Sequence, residues 1–350
     1  MIFCGDIALP IDNRLGFKGC PDDLFRKEWI GNLEGSLIKG EFSESFLKER
    51  KVFNSDDAFA SLCNLINYRC VGLANNHLLD ASHVNESLEI LNNMNMPYIG
   101  AGFCLDDARR EIVINDYVII AFGWEGISCV PANDCNEGVN PYEIDHVCDT
   151  VCNLLQIYQD KKIICFMHWN YELELYPQPL DRELSHHLID MGVYAVIGCH
   201  AHRVQPIEIY KGHPIVYGLG NFAFMQNTYL NGKLKFPAFS YDEIAFEITD
   251  DGVFCVHRFK YDPNSQTVTY IRKETVETSE ILSLNDDDYK KFFKKNRVQR
   301  KFLPIFYYND SRLTYRTKIE LIKARQKMIK LLIGNKRVFD TIKSVISKIS

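Results

Sequence analysis

An apolar run that ends in two closely spaced histidines constrains this chain more than any other stretch. Residues 193–197 are Val-Tyr-Ala-Val-Ile, and Gly198-Cys199-His200-Ala201-His202 follows directly. β-branched and aromatic residues favour a buried strand, so the histidines are predicted to lie where this strand ends and a loop begins. In an open α/β sheet, ligands bind at the carboxyl ends of the strands. Both imidazoles can therefore face one cation if the loop bends between them.

Several other strand-like runs end in the same kinds of polar residue. A strand is predicted before each of them, including a central buried one over 163–167, where the apolar run is nearly continuous. The polar residues at these strand ends are Asp6, Glu34, Asn76, His77, His168, His200 and His202. One such residue alone is equally consistent with a structural turn. Five strand ends with the same bias favour a site for one or two divalent ions, such as Zn, Mn or Fe, over a thiolate site.

A centre of this composition predicts hydrolysis. A metal ion lowers the pKa of its bound water toward ~7, and two ions can hold the attacking and leaving oxygens. A neighbouring imidazole that does not bind metal can donate a proton to the leaving group. The sequence therefore indicates a metal-dependent hydrolase.

The cysteines and the N-terminus indicate a cytoplasmic protein. Twelve cysteines are scattered over 350 residues without a Cys-x-x-Cys pair, which is typical of reduced thiols rather than a disulfide framework. The N-terminus lacks a signal-peptide pattern, and no apolar run approaches the ~20 residues that span a bilayer. The spacings Cys129…Cys135 and Cys148…Cys152 leave a zinc site open as an alternative. Helical spacing of buried cysteines also explains the second pair.

Charge divides the chain into two regions. Residues 289–350 contain 18 Lys and Arg against 3 Asp and Glu, whereas residues 1–288 contain 22 against 43. Apolar residues recur at helical spacing over 318–333 and 337–350, with basic residues opposite. We predict a body over 1–275 and a basic helical region over 286–350.

The basic amphipathic helices have two interpretations. They contact an anionic membrane at its inner face or a partner protein, or they pack their apolar stripe on the acidic body. No aromatic stacking platform accompanies the basic charge, so a nucleic-acid partner is not expected.

Helix and strand patterns alternate along the body and predict an α/β fold. Helices are expected over 82–95, 142–159 and 178–191, and a hairpin is expected around Asp116. Residues 241–273 alternate apolar and polar in the manner of strands, and we expect them to complete a second sheet.

Six short motifs follow one another in a fixed order along the chain. They are Gly5-Asp6, Asn32-Leu33-Glu34, Ala74-Asn75-Asn76-His77-x-x-Asp80, His168-Trp169-x-x-Glu172, Gly198-x-His200-x-His202 and Leu219-Gly220-Asn221-Phe222. Together they resemble the bacterial capsule-synthesis protein CapA family, which are poly-γ-glutamate biosynthesis proteins within the calcineurin-like metallophosphoesterase superfamily. The resemblance covers roughly residues 1–275.

The resemblance implies a four-layer α/β/β/α sandwich with its site at the strand ends. It also implies the metal ligands, which are Asp6, Glu34, Asn76, His168, His200 and His202, with Glu34 where a bridging aspartate usually stands. His77 matches the general-acid histidine. Glu172 is expected to be a further ligand or base, or to orient His168 through a hydrogen bond. Gln205 and Asn221 fit the rim of the site.

Two departures from the superfamily pattern affect the expected function. The pattern Asp-x-His is Asp6-Ile7-Ala8 here, so one ligand of the first metal is absent, and Glu replaces Asp at the bridge. The first hypothesis is a metal-dependent hydrolase in capsule or surface-polymer biosynthesis, acting on a phosphoester or on the amide of a γ-glutamyl polymer. The alternative is a non-catalytic scaffold in an envelope-polymer synthesis complex.

Overall fold

The computed structural model describes residues 1–11, 15–40 and 51–334. The second basic helix, expected over 337–350, lies outside the described residues. In chain order the strands are β1 (Ile2–Ala8), β2 (Gly16–Lys18), β3 (Trp29–Leu33), β4 (Ser36–Ile38), β5 (Phe53–Ser55), β6 (Tyr68–Gly72), β7 (Tyr98–Ile99), β8 (Ala101–Gly102), β9 (Ile112–Ile114), β10 (Tyr117–Gly123), β11 (Gly138–Val139), β12 (Lys162–His168), β13 (Ala195–Cys199), β14 (Ile207–Tyr210), β15 (His213–Val216), β16 (Asn221–Phe224), β17 (Asp242–Ile248), β18 (Phe254–Asp262) and β19 (Thr267–Thr275). The α-helices are α1 (Asp56–Leu65), α2 (Val84–Asn93), α3 (Leu105–Ala108), α4 (Ile144–Ile157), α5 (Pro179–Met191), α6 (Asp286–Asn296) and α7 (Arg312–Gly334).

Two large sheets make up the body, which confirms an α/β fold. The larger sheet has nine strands in the order β2-β19-β18-β17-β1-β3-β6-β7, with β16 also paired to β1. The smaller sheet has six strands in the order β14-β15-β13-β12-β10-β9. The rings of Phe3 in β1 and Phe166 in β12 meet at 5.9 Å, so apolar side chains of the two sheets pack against each other.

The centre of each sheet is parallel. In the larger sheet β1, β3 and β6 pair in parallel, and in the smaller sheet β10, β12, β13 and β15 do the same. These strands are almost entirely buried, which explains their nearly continuous apolar runs. Parallel pairing places their carboxyl ends at the same edge of each sheet, which is where the polar residues follow.

The predicted helices are confirmed within a few residues of their expected ends. α5 begins after Gln178, whose side chain forms a capping box with Asp181, and ends at Gly192 with a φ of 119°. The predicted hairpin is present, because β9 and β10 pair antiparallel on either side of Asp116.

The prediction that residues 241–273 complete a second sheet is wrong. β17 pairs antiparallel with β1, and β18 and β19 extend the same sheet. β17 is buried along nearly its whole length, because it lies between β1 and β18 rather than at an edge. Its alternating sequence identified a strand but contained no information about its neighbour.

The chain beyond β19 packs on the body. α7 starts at Arg312, earlier than predicted, and its buried side chains Ile319 and Ile322 join the main core. The Trp124 indole donates a hydrogen bond to the Tyr315 hydroxyl at 3.0 Å. One face of α7 therefore packs on the body, as one of the two interpretations expects. Across the ranges that the structure describes, no helix combines the length and apolar character needed to cross a membrane.

Candidate metal centre

The carboxyl ends of five strands bring the predicted ligands together between the two sheets. Asp6 lies within β1, and His168 is the last residue of β12. Glu34 follows β3, Asn76 follows β6, and His200 follows β13 directly. The strand register places Asp6 beside Asn32 and His168 beside Cys199. Parallel pairing alone therefore accounts for most of the convergence.

Two glycines allow the backbone to approach closely beneath this site. A Cβ atom on Gly5 would lie 1.9 Å from the Gly220 carbonyl oxygen. A Cβ atom on Gly198 would lie 2.2 Å from the Tyr217 oxygen. A side chain at Gly5 would push β1, which carries Asp6, away from the Gly220 backbone. A side chain at Gly198 would likewise push β13, which His200 follows, away from the Tyr217 backbone.

The loop bends at both histidines of the His-x-His pair, although the two imidazoles belong to different groups of convergent ligand atoms rather than to one. His200 has a φ of 90° and His202 a φ of 48°, both in the left-handed region that such residues rarely adopt. The ring centroids of His168 and His200 lie 4.8 Å apart, and those of His200 and His202 lie 5.7 Å apart. Strained backbone of this kind persists where the surrounding structure holds it, often at functional sites.

Two overlapping groups of buried side chains can each hold a metal ion. One group is Glu34, His168 and His200, and the other is Asp6, Glu34 and His202. Within each group the ligand atoms lie within 4.8 Å of one another. Glu34 belongs to both groups, which is the arrangement expected of a bridging carboxylate. No cysteine belongs to any such group in the described part of the chain, so the alternative zinc site finds no support there.

Hydrogen bonds fix Asp6 and His202 in place. The Asp6 carboxylate accepts bonds from Asn32 Nδ2 at 2.8 Å and from the His200 backbone N–H at 3.1 Å. Nδ1 of His202 donates to Asn221 Oδ1 at 2.8 Å, which leaves Nε2 free to accept. That Nε2 lies 3.7 Å from Glu34 Oε1. Asn221, which is buried at the start of β16, therefore orients a predicted ligand.

Asn76 and His168 are hydrogen-bonded to each other. His168 Nε2 donates to Asn76 Oδ1 at 2.8 Å, and Asn32 Nδ2 donates to His168 Nδ1 at 3.3 Å. The amide oxygen of Asn76 and the imidazole of His168 thus lie side by side, and both would face the same ion only after Nε2 loses the proton that it donates here.

The remaining polar atoms of the centre fit a cation. Both oxygens of Glu34 and Nδ1 of His200 are buried without a hydrogen-bond partner among the residues described. Burial, reinforced by the charge of Asp6, raises the pKa of Glu34 well above its usual range. Burial also raises the pKa of Asp6 and lowers the pKa of His168 and of His200 well below the usual value. Neutral imidazoles beside buried carboxyl groups form a donor set that a divalent cation would complete.

His77 lies beside the two ligand groups rather than in them. Its Nδ1 contacts Asp80 Oδ2 at 2.6 Å, and its Nε2 lies 3.8 Å from Glu34 Oε1. Its side chain is 28% exposed, so it faces both the centre and solvent. A carboxylate on one nitrogen fixes the tautomer and leaves the other nitrogen available for proton transfer.

The structure does not bring Glu172 into either ligand group. Its carboxylate pairs with the Arg300 guanidinium, and its side chain is 35% exposed. The described hydrogen-bond partners of His168 are Asn32 and Asn76, so Glu172 does not orient that imidazole. Gln205 is buried near the site, where its Nε2 donates to the Glu174 carbonyl oxygen at 2.9 Å.

Ala8 fills the position of the missing histidine with apolar packing. It is fully buried in a small cluster with Phe53, Phe224 and Phe236. The Phe236 ring stacks on the His202 imidazole at 4.5 Å. This side of the centre is therefore aromatic where the superfamily pattern would supply a ligand.

The sequence assigned no role to two residues that contact the centre, Asn32 and Asp80, or to Arg300, which pairs with Glu172. Asn32 bonds Asp6 and His168, and its spacing from Glu34 was the available signal, since alternate strand residues point the same way. Asp80 lies in the same motif as His77, three residues further on. Arg300 has no motif around it and is 128 residues from its partner Glu172, so the sequence carried no signal for that contact.

A family model described as bacterial capsule synthesis protein PGA_cap matches residues 28–226. The chain belongs to this family. The matched region contains all of the assigned site residues except Asp6, and it ends before β17.

Relatives of known name point in the same direction. The chain is 30% identical over 172 residues to the PGA biosynthesis protein CapA of Bacillus subtilis, covering 46% of this chain and 44% of that protein. It is 25% identical over 169 residues to the capsule biosynthesis protein CapA of Bacillus anthracis, covering 45% and 41%. It is 34% identical over 167 residues to a Mycobacterium tuberculosis protein named as a probable polyglutamine synthesis accessory protein, covering 43% of each. The chain thus spans less than half the length of the relatives that it matches.

Proposed function

We propose that this protein is a metal-dependent hydrolase of the CapA type that acts in the biosynthesis of a capsule or surface polymer. The bond that it hydrolyses is a phosphoester or the amide of a γ-glutamyl polymer. Membership of the capsule-synthesis family supports the biological setting. The geometry at the strand ends supports the chemistry.

One observation carries the proposal. Glu34 is fully buried, both of its oxygens lack a hydrogen-bond partner in the described structure, and it belongs to both groups of convergent ligand atoms. A buried carboxyl group without a partner is destabilising by itself. The arrangement is understandable if the protein binds one or two cations, which we propose to be Mn, Fe or Zn, between Glu34 and the imidazoles.

The residues around the centre have distinct proposed roles. Asp6, Glu34, Asn76, His168, His200 and His202 would hold the metal. A divalent ion there would supply a Lewis acid and an activated water. Asn32 and Asn221 orient three of these ligands through the hydrogen bonds described above.

His77 would donate a proton from Nε2 to the leaving group. The Asp80 carboxylate accepts a hydrogen bond from Nδ1 and fixes the orientation of the ring. The exposed fraction of His77 allows the proton to be replaced from solvent after each turnover.

Metal content tests the proposal directly. Freshly purified wild type and His200→Ala would be compared by elemental mass spectrometry, before and after incubation with Mn, Fe or Zn. We expect near-stoichiometric metal in wild type and its loss in the variant, together with loss of hydrolysis of phosphoester and γ-glutamyl substrates. His213→Ala is the matched control, because His213 lies on β15 and contacts the Tyr194 carbonyl oxygen instead. A fully active His200→Ala, or a wild type that holds no metal after reconstitution, would refute the hydrolase.

A scaffold function is the second candidate, and Ala8 favours it. Where the superfamily pattern expects a ligand, this chain has a buried methyl group against aromatic rings. A protein that keeps the centre for binding or stability would hold metal without turning over either substrate class, and His200→Ala would leave assembly with its partners intact.

We propose the four-layer α/β/β/α arrangement for the body. The two large sheets pack face to face through contacts such as that of Phe3 with Phe166, and α4 and α5 lie against strands of the smaller sheet. The unit of residues 1–275 and the basic region of residues 286–350 likewise remain proposals.

We also propose that the basic region contacts an anionic membrane from the cytoplasmic side. The outward face of α7 exposes a stripe of large apolar side chains, which are Leu313, Leu321, Met328 and Leu331. Arg312 and Lys327 are exposed on the same helix. The acidic body would be repelled by anionic lipid, so a contact would be made through this region.

A further inference from the structure

The loop between α6 and α7 packs on the loop that follows β12 and its predicted ligand His168. We call residues 297–306 the rim segment. The Tyr171 hydroxyl donates to the Pro304 carbonyl oxygen at 2.9 Å, and the Phe306 N–H donates to Gln178 Oε1 at 3.2 Å. Both partners lie in the loop that follows β12 and its ligand His168. The rim segment, which lies outside the part of the chain matched by the family model, is thus attached to the site loop.

Arg300 occupies a fixed position in the rim segment. Its carbonyl oxygen accepts hydrogen bonds from Arg297 Nη2 and from the Leu303 N–H, both at 2.8 Å. Arg297 is itself 96% buried, with its guanidinium over the Tyr171 ring. The backbone of Arg300 is left-handed, with a φ of 50°. A buried arginine therefore anchors the backbone from which a second, accessible arginine projects.

The Arg300 side chain lies on the solvent side of the centre. It pairs with Glu172, and the two side chains are 38% and 35% exposed, whereas His168, His200 and Glu34 are at most 5% exposed. Glu172 follows His168, the last residue of β12, by four residues in the same loop. The pair therefore borders the loop that carries a predicted ligand of the centre.

The pair can open to admit an anion. A partly exposed ion pair contributes little net stability, because solvent screens it and both long side chains lose freedom. A guanidinium binds carboxylate or phosphate oxygens through two parallel hydrogen bonds. An incoming oxyanion offers Arg300 the same bonds that Glu172 now provides.

We propose that Arg300 is a substrate-binding residue that recognises an oxyanion, a phosphate or a carboxylate, beside the bond to be cleaved. Glu172 is its counter-ion in the absence of substrate and competes with it. This inference rests on the proposed hydrolase, since it names the substrate class of the same centre. It gives Glu172 a function different from metal ligand or base.

Anion binding to the full-length protein tests the inference. Isothermal titration calorimetry would measure the affinity for inorganic phosphate and, separately, for γ-glutamylglutamate. We expect Arg300→Ala to weaken binding about tenfold, Arg300→Lys to lie between, and Glu172→Gln to strengthen binding a few-fold. Lys301→Ala is the matched control, because it removes the adjacent exposed cation and should leave affinity within about twofold.

The two probes separate the possible substrates. An Arg300 effect confined to phosphate would identify a phosphoester substrate, and one confined to the dipeptide would identify a γ-glutamyl substrate. Equal affinities of Arg300→Ala and Lys301→Ala for both probes would overturn the inference. So would a loss in Glu172→Gln as large as that in Arg300→Ala, since the pair would then be structural, and so would a wild type that binds neither probe at millimolar concentration.

Metal content distinguishes failure of this inference from failure of the hydrolase. A wild type that holds metal and hydrolyses substrate, with normal anion binding in Arg300→Ala, refutes only the inference. A wild type without metal refutes the hydrolase, while the effect of Arg300 on phosphate affinity is still measured by the same titration.

Discussion

Glu34 and Glu243 are both buried glutamates whose two carboxyl oxygens lack a hydrogen-bond partner within the described ranges. Burial raises the pKa of both well above the usual range. Glu34 lies at the strand ends, with imidazole nitrogens of His77 and His202 within 3.8 Å of it. Glu243 lies inside β17, where its charge acts on Cys4 and Tyr68.

The difference between these two regions shows what makes a site. An unpartnered carboxyl group in the interior is a source of instability wherever it occurs. The unpartnered carboxyl group of Glu34 lies beside convergent imidazoles and a second carboxylate, which would bind a cation. The backbone at His200, next to it, is strained. The charge of Glu243 acts on a thiol and two phenols, those of Cys4, Tyr68 and Tyr261, and no group of convergent ligand atoms in the described residues includes it. Burial alone does not identify function, and convergence of donors does.

The same substitution at both positions should give the largest contrast. Glu34→Gln removes the carboxylate that both ligand groups share, so we expect metal content and turnover to fall at least about 100-fold. Glu243→Gln should retain both, because it changes no ligand. Elemental mass spectrometry and a phosphoester assay on the two proteins measure this. Equal loss in both variants would show that the comparison reflects folding rather than ligation.

A second prediction concerns Glu243 and the pH dependence of the free energy of unfolding. The folded pKa of Glu243 is above its unfolded value of 4.5, so the folded state holds a proton that the unfolded state releases. The wild type therefore loses stability as pH rises above that value, by up to about 1.4 kcal/mol per pH unit from this group. Glu243→Gln lacks this loss, so its advantage in unfolding free energy should grow from pH 5 to pH 8.

Urea unfolding of metal-free protein at several pH values measures this difference. Glu89→Gln, on the exposed side of α2, is the control and should follow the wild type at each pH. A constant offset between Glu243→Gln and wild type would contradict the raised pKa of Glu243.

A further prediction concerns His77, the proposed proton donor, whose Nε2 lies 3.8 Å from Glu34 Oε1. We propose no such residue beside Glu243. Asp80→Asn removes the charge beside His77 Nδ1 and keeps an oxygen there, so turnover should fall about tenfold or more with metal content unchanged. Asp57→Asn, exposed in the first turn of α1, should have no effect. An active Asp80→Asn with an unaltered pH–rate profile would remove His77 from the mechanism.

The sequence was sufficient to predict that polar side chains converge at the strand ends, for a local reason. Each ligand follows an apolar run whose end can be read from neighbouring residues, and parallel strands bring those ends together. The sequence allowed both rings to face one cation if the loop bends, but it could not show that His200 and His202 join different groups of ligand atoms. The sandwich of four layers and the individual roles came from the family resemblance rather than from residue patterns.

The sequence could not predict the neighbour of β17 or the partner of Arg300, because both depend on contacts between residues far apart in the chain. The alternation in β17 identifies a strand, but only tertiary packing pairs it with β1 and buries Glu243. Arg300 reaches Glu172 through a loop with no periodic pattern, which a buried arginine holds in place. Neither contact follows from spacing along the chain.

Glu34 and Glu243 are polar groups in the interior, whereas the stripe of α7 consists of apolar side chains that face solvent. Leu321→Ser and Met328→Ser should change the free energy of unfolding by no more than about 0.5 kcal/mol, since both side chains are more than half exposed. If the stripe contacts lipid, the double variant should bind less to vesicles that contain anionic phospholipid. Thr317→Ser, which is exposed on the same helix, is the control. A cosedimentation assay measures this binding. Unchanged binding of the double variant to anionic vesicles would exclude the proposed contact, and so would equal binding of wild type to neutral and anionic vesicles. The stripe would then be assigned to a contact with a protein partner.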